Sequence, residues 1–266
     1  MPNLWLLTLG EKMDCSHLSL ENKIVLVTGA SRGIGKSIVL AFADAGADVI
    51  LASRKLEDLE KVAEEVRAMG RKALCIPTHA KKSEDLRNLV DKTMAEFGRI
   101  DILVNNAATN PAMGDIVDTD EKTFSHIIDT NLKGYFLLSA LVGKIMQTQK
   151  SGNIINISSA GGVSPAPGVG PYDVSKAGIN MLTKQMAMEL GPYNVRVNAI
   201  APRIVKTSFS EAFWGNEKLM ANEFKFTPLK VVATPEEIAQ SALYLASTAT
   251  NYMTGHILVV NGGAFF

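Results

Sequence analysis

The feature that most constrains this chain is an alternation. Short runs of uninterrupted apolar residues take turns with longer stretches whose apolar residues recur at helical spacing. A strand with one wet face alternates apolar and polar side chains, whereas a strand apolar throughout is covered on both faces. Residues 23–28 read as the first such strand. Residues 35–45 read as a helix, with Ile38, Val39 and Phe42 on one face and Gly46 as its stop. Strands follow at 49–52, 72–77, 101–105, 153–158, 195–200 and 256–260. Helices fall between them at 56–69, 83–97, about 121–146, 172–190 and 235–246. Ser83 is the expected N-cap of the third helix and Gly98 its stop. This order predicts an α/β domain: a doubly wound parallel sheet of about seven strands with helices on both faces.

A chain of 266 residues, 47% of them apolar, suits one such domain, with no repeat or linker to divide it. Residues 20–266 are assigned to the domain and 1–19 to an N-terminal extension. Leu4-Trp5-Leu6-Leu7 is too short to span a bilayer and lacks the basic lead of a signal peptide; with Met13 just before the first regular element, residues 1 to about 15 read as a loose extension or a misplaced start. Lys+Arg and Asp+Glu balance at 27 each, so neither nucleic acid nor a membrane surface is an expected partner. Cys15 and Cys75 form no CxxC pair and no disulfide framework, which fits a reducing, cytoplasmic setting. His17, His79, His126 and His256 are scattered, so no metal is expected.

Thr28-Gly29-Ala30-Ser31-Arg32-Gly33-Ile34-Gly35 joins the first strand to the first helix. Glycines there allow a tight turn and close approach of a pyrophosphate, and the helix beyond offers free N–H groups and its positive dipole end. The competing reading is a tight turn without a ligand; the strand before and the helix after favour the phosphate.

With its spacing T-G-x-x-x-G-x-G, this turn resembles that of the short-chain dehydrogenase/reductase family, and the resemblance runs over about 20–263. Further motifs arrive in the family's order: Asn105-Asn106-Ala107-Ala108, Asn131, Ser159, Tyr172-x-x-x-Lys176 and Pro202. The resemblance implies a Rossmann-type fold with a nicotinamide dinucleotide held by Gly29, Ser31, Arg32, Gly33, Ile34 and Gly35. It adds Ser53, Arg54, His79, Ala80, Asn105, Ala107, Tyr172, Lys176, Pro202, Ile204 and Thr207 as cofactor contacts. Tyr172 and Lys176, four apart, share a helix face, and the ammonium together with the positively charged oxidised nicotinamide is expected to lower the phenol's pKa so that it serves as general acid or base. Ser159, thirteen residues before Tyr172, is expected to hydrogen-bond the substrate oxygen, in preference to Ser158. Asn131 is expected to bind a water linked to Lys176, or to kink its helix, or both.

The second strand ends Leu51-Ala52-Ser53-Arg54-Lys55. Ser53 stands where an NAD-preferring relative carries Asp, and Arg54 with Arg32 suits a 2′-phosphate, so the expected cofactor is NADP (NADPH). His79 stands where many relatives carry an Asp that contacts the adenine, and is expected either beside the adenine or as a surface-loop histidine with no role. Two positions depart from the family: Ala108 and Arg203 stand where glycine is usual, and Arg203 could face solvent or an acidic substrate.

Ala107-Ala108-Thr109-Asn110-Pro111, Gly170-Pro171-Tyr172, His79 and the run from Lys206 to Trp214 resemble the NADPH-dependent carbonyl/retinal reductase branch. Its better-known members are peroxisomal, but Ala264-Phe265-Phe266 is no Ser-Lys-Leu-like address. The implied activity is hydride transfer between NADP(H) and a small-molecule ketone, aldehyde or secondary alcohol, apolar substrates being expected. A 3-oxoacyl-thioester reductase shares every motif; a non-catalytic dinucleotide sensor is the other alternative, against which the intact Asn131, Ser159, Tyr172 and Lys176 argue.

Residues 208–227 are expected to form an apolar lid, with Phe209, Phe213 and Trp214 contacting substrate and Phe224 and Phe226 nearby. Packing on a neighbouring subunit or on the core is the alternative. Phe136, Leu137, Leu141, Met181, Met186 and Met188 exceed what one sheet-facing stripe needs, which with the resemblance suggests a homotetramer, or at least a dimer.

Overall fold

The computed structural model describes residues 16–111 and 113–264. In chain order these form β1 (Ile24–Thr28), α1 (Gly33–Asp44), β2 (Asp48–Ser53), α2 (Leu56–Ala68), β3 (Ala73–Pro77), α3 (Ser83–Phe97) and β4 (Ile102–Asn105). There follow α4 (Glu121–Ile128), α5 (Gly134–Gln149), β5 (Gly152–Ile157), α6 (Gly170–Leu190), β6 (Val195–Pro202), α7 (Glu211–Trp214), α8 (Glu217–Phe226), α9 (Pro235–Ala246) and β7 (Ile257–Val260).

All seven strands pair in parallel in the order β3-β2-β1-β4-β5-β6-β7. Successive strand residues face opposite sides, and each side has its own core. Val25, Val27, Val49 and Leu51 pack with Ile38 and Phe42 of α1, Leu59 and Val62 of α2, and Ile238 and Leu245 of α9. Leu26, Ile50 and Leu103 pack with Leu86 and Leu89 of α3, Leu138, Val142 and Met146 of α5, and Leu190 of α6. Full burial of each such side chain contributes about 1.5–3 kcal/mol, so both helical layers are firmly held. The strand order runs outward in both directions from β1 and β4. That makes the crevice beyond their carboxyl ends the place where an open parallel sheet binds ligands.

The expected doubly wound sheet is therefore present, with four local differences. Ser83 is the first residue of α3 rather than its cap; Lys82 takes the cap position and makes no side-chain cap bond. The single helix expected over 121–146 is broken by a π-turn at Asp129–Lys133. The helix carrying Tyr172 starts two residues earlier, with Pro171 in its first turn, where a missing N–H costs nothing. The segment after β6 holds two short helices, α7 and α8, where only an aromatic-rich excursion was expected. Of the N-terminal extension, Ser16–Leu18 forms a short 3-10 turn, and the His17 carbonyl accepts a bond from Thr248. The Leu4–Leu7 run, Cys15 and Phe265-Phe266 lie outside the described residues. No helix among the described residues is long and apolar enough to cross a membrane, and no group of three metal-ligating side chains occurs among them.

Candidate active site

The expected cofactor and catalytic residues come from the carboxyl ends of β1 to β6 and the segments leaving them, together with the π-turn and the first turns of α6. The glycine turn sits between β1 and α1. Gly29 has φ +65°, and a Cβ there would stand 2.7 Å from Asn106 Nδ2. A Cβ on Gly35 would stand 2.3 Å from the Gly29 carbonyl oxygen, so neither position admits a side chain. Asn106 fastens the turn: its Nδ2 donates to the carbonyls of Thr28 (2.9 Å) and Gly29 (3.3 Å). The Thr28 hydroxyl in return accepts from the N–H of Asn106 (2.9 Å) and Ala107 (3.1 Å). Arg32 occupies the N-cap of α1 without a side-chain cap bond. The amino end of α1 thus keeps N–H groups for an anion, with Ser31, Gly33 and Ile34 around it. This cradle fits a pyrophosphate.

At the end of β2, Ser53 is half-buried and Arg54 exposed. Among the described residues neither Arg54 nor Arg32 has a carboxylate partner in an ion pair. His79 and Ala80 follow β3. Desolvation, then the charges of Lys81, Arg54 and Lys82, hold the His79 imidazole below its usual range, with Asp85 opposing. Asp85 also accepts the His79 backbone N–H at 2.8 Å. This cluster of cations with its imidazole fits a phosphate ester.

Asn105 turns away from the crevice. Its Nδ2 donates to Ser139 Oγ (2.8 Å) and Asn156 Oδ1 (2.9 Å), and Asn156 Nδ2 donates to Thr183 Oγ1 (2.9 Å). The expected place for Asn105 along the ribose side would be met by its main chain alone, because the side chain is spent tying β4, β5, α5 and α6 together. Asn131 lies in the π-turn, wholly buried. Its Oδ1 accepts from Thr109 N–H (2.8 Å), and its Nδ2 donates to Thr109 O (3.0 Å) and Ser175 Oγ (3.1 Å). The side chain pins the loop after β4 against α6, which matches the helix-distorting role; its bonds leave the Lys176 ammonium to another partner.

Ser158 is buried against Asn180 Oδ1 (2.6 Å) and the Lys176 carbonyl (3.2 Å), whereas Ser159 is half-buried and accepts from Gly161 N–H at 3.1 Å. Lys176 is only 1% exposed. Its Nζ donates to the Ile157 carbonyl (2.7 Å) and lies 5.4 Å from the ring centroids of both Tyr172 and Tyr135. Tyr135 is a member of this cluster that the sequence did not reveal. Its hydroxyl donates to the same Ile157 carbonyl at 3.3 Å, and no spacing rule links it to the motif.

Burial pulls the Lys176 ammonium down to about 7. Burial also pushes the Tyr172 phenol above its usual value; the Ser159 hydroxyl lowers it and the Asp173 carboxylate raises it further. The expected drop in the phenol's pKa is thus not produced by these residues alone, since desolvation outweighs the hydrogen bond to Ser159. Asp173 is a second residue the sequence did not reveal. It accepts the Ala166 N–H at 2.8 Å, its other oxygen would meet any Cβ on Gly161, and burial raises its carboxyl to about 6.

At the end of β6 Pro202 is buried; beyond it Ile204 and Thr207 are half-buried, and Thr207 Cγ2 lies 3.2 Å from where a Cβ of Gly33 would stand. The chain after β6 therefore comes down over the glycine turn. The Phe209 ring lies 6.1 Å from the Tyr172 ring, tilted by 44°. Phe213 is half-buried. Trp214 is engaged elsewhere: its indole N–H donates to Thr207 O (2.8 Å) and Lys206 Nζ lies 5.5 Å from its ring. Of the three aromatics expected to touch substrate, Phe209 is the one set against Tyr172.

A family model described as Enoyl-(Acyl carrier protein) reductase matches residues 29–264. Dehydrogenase/reductase SDR family member 4 of Oryctolagus cuniculus is 36% identical over 92% of this chain and 94% of its own length. The 3-oxoacyl-(acyl-carrier-protein) reductase of Thermotoga maritima is 37% identical over 92% of this chain and 99% of its own. Among solved structures, a 7 alpha-hydroxysteroid dehydrogenase complexed with NADH and 7-oxo glycochenodeoxycholic acid superposes with a TM-score of 0.90 at 31% identity. That match covers 95% of this chain and 98% of the other.

Proposed function

The chain belongs to the short-chain dehydrogenase/reductase family, an oxidoreductase family that binds a nicotinamide dinucleotide, and on that premise we propose that it is an NADPH-dependent carbonyl reductase acting on apolar ketones or aldehydes. The observation that carries this reading is the convergence of Tyr172, Ser159 and Lys176 at the carboxyl end of β5, under the segment that carries Phe209. The coenzyme supplies the hydride and, when oxidised, a positive ring charge. Tyr172 holds the proton that the carbonyl oxygen receives. Its raised pKa keeps the phenol protonated at neutral pH, and donation calls for the positive charge of Lys176 and of the oxidised coenzyme to offset that rise. The Ser159 hydroxyl steadies the oxygen as charge develops there. Lys176, held by Ile157, keeps an ammonium close to the phenol.

Cofactor choice rests on Ser53, Arg54, Arg32 and the cations around His79, which offer donors and positive charge without the carboxylate that a free 2′-hydroxyl favours. One solved structure that resembles this chain is complexed with NADH, so the test must vary both coenzymes. Replacing Ser53 with Asp and Arg54 with Ala should narrow or invert the ratio of kcat/KM for NADPH over NADH. Equal wild-type values would defeat the assignment. For the chemistry, Tyr172→Phe should retain coenzyme binding by fluorescence and lose about 10²–10⁴-fold in turnover. Near-normal kcat would remove the tyrosine from the mechanism.

A 3-oxoacyl-thioester reductase is favoured by one observation, the comparable identity to the Thermotoga maritima enzyme, and a panel of thioesters beside aryl ketones separates the two. A homotetramer is supported by Phe136, Met181 and Met188, which stand exposed on α5 and α6, whereas Leu137, Leu141 and Met186 pack on the core. Light scattering tests it. The free, half-buried Cys75 accords with the expected cytoplasmic setting.

A further inference from the structure

Pro202 is followed by Arg203, where the resembled family has a glycine. The arginine neither reaches into solvent nor stands ready for an acidic substrate. Its backbone N–H donates to the Val260 carbonyl of β7 at 3.1 Å, which fixes the base of the side chain. Its guanidinium meets Glu223 of α8 as a fork: Nε donates to Oε1, and Nη2 donates to Oε2 at 3.0 Å. The Thr227 hydroxyl, at the carboxyl end of α8, donates to the same Oε1 at 3.1 Å. The pair is largely shielded, with the two side chains 29% and 17% exposed. A two-pronged guanidinium–carboxylate contact fixes orientation as well as distance.

This contact matters because α8 has little else. Met220 is its only buried residue. The segment before it is tied near its start by Trp214 to Thr207 and carries Phe209 beside Tyr172. One charged fork thus joins the end of β6 to α8, the helix that packs against α7 and follows the segment carrying Phe209.

We propose that Arg203 and Glu223 form a positioning pair that clamps α8 to the end of β6. The clamp holds the aromatic segment closed over Tyr172 and so sets the preference for bulky apolar carbonyl substrates. The specificity half rests on the reading of the chain as a carbonyl reductase; the clamp itself does not. Arg203 is thereby neutralised, and acidic substrates gain nothing from it.

Trp5 and Trp214 are the only tryptophans, so Trp5→Phe leaves Trp214 as sole reporter. In that background Glu223→Gln and Arg203→Glu should each raise acrylamide quenching of Trp214. The charge-exchanged double variant, Arg203→Glu with Glu223→Arg, should bring it back towards the parent. With NADPH, the single variants should raise KM for a bulky aryl ketone about 5–30-fold while acetone changes less than about twofold, as expected when a coupling of this kind is lost. Thermal melting identifies any variant that fails to fold, and Arg203→Lys, which keeps the charge and loses the fork, then serves in its place with a smaller effect of the same sign. Unchanged quenching in folded variants overturns the clamp, as does a folded double variant that restores nothing. Raised quenching with no split between the two ketones overturns the specificity assignment. A gain for a 2-oxo acid in Glu223→Gln, without raised quenching, would show Arg203 to be an anion site instead. If the parent reduces no ketone at all, the carbonyl-reductase reading fails, and the quenching series still decides the clamp.

Discussion

The floor and the roof of the cleft are built on opposite plans. The floor is made of β1, β4, β5 and the first turns of α6, and its polar side chains are buried and bonded to one another: Asn105 to Ser139 and Asn156, Asn156 to Thr183, Ser158 to Asn180. Between Thr207 and Val231, by contrast, only Met220 and Thr227 are buried, and Phe209, Leu219, Phe226, Leu229 and Val231 are exposed. A floor locked by packing can hold Tyr172, Ser159 and Lys176 in fixed relation, which is what stabilising a developing charge requires. A roof with few buried contacts is held by less, so the proposed Arg203–Glu223 clamp would govern how readily it yields to substrate.

The largest test of the contrast lies in the floor. Asn156→Ala removes the acceptor of Asn105 and the donor to Thr183 in a fully buried place. It should destabilise the protein by about 3 kcal/mol, from unpaired polar groups and the void together. The roof counterpart, Phe226→Ser, should change stability by about 0.5 kcal/mol or less. Comparable shifts in urea unfolding would erase the distinction.

A smaller effect is expected at Asp173, which joins the floor to the loop after Ser159. Its folded pKa is raised by burial to about 6, above the ordinary carboxyl value of 3.8. Between these two values the folded protein binds more protons than the unfolded chain, so this group lowers stability as pH rises through about 4 to 6. Above pH 6 its cost is complete. Asp173→Asn keeps an acceptor for Ala166 and removes the charge. The variant should be the more stable by on the order of 2 kcal/mol at pH 7, with the gap closing below pH 4. A gap independent of pH would mean that the carboxylate is not penalised by its surroundings.

The smallest effect belongs to the roof and sharpens the comparison by sparing stability. Phe209→Ala should leave the melting temperature nearly unchanged, since the ring is half exposed. It should raise KM for aryl ketones by about fivefold, on the order of 1 kcal/mol of lost apolar contact, with little change for acetone. Equal effects on both substrates would show that the ring packs against Tyr172 without meeting substrate.

Much of the floor was legible in the chain. Apolar runs such as residues 24–27 and 49–52 read as strands covered on both faces, and the spacing of Ile38, Val39 and Phe42 indicates a helix between such strands. Gly29 and Gly35 announced a turn with no room for side chains because a short motif carries its own geometry. The choice of Ser159 over Ser158 followed from spacing and agrees with their burial. The break at Asn131 was read only as one of two possible roles, since a π-turn leaves no pattern in apolar spacing. Ser83 was misassigned as a cap because capping residues also favour the first helical turn, and one residue of register lies below what a sequence resolves.

The sequence by itself determined the alternation of strands and helices, the glycine turn and the order of Asn131, Ser159, Tyr172 and Lys176. The first two follow from local sterics and from periodicity, which each short window of chain carries, and the last is what the resemblance to the family implies. Only the tertiary structure decided that Tyr135 and Asp173 join the site, that Asn105 faces the core, and that Arg203 spends its charge on Glu223, 20 residues away. Those outcomes depend on which side chains meet once the sheet is assembled. A guanidinium and a carboxylate far apart along a chain give no sign of each other until β6 and α8 place them within bonding distance.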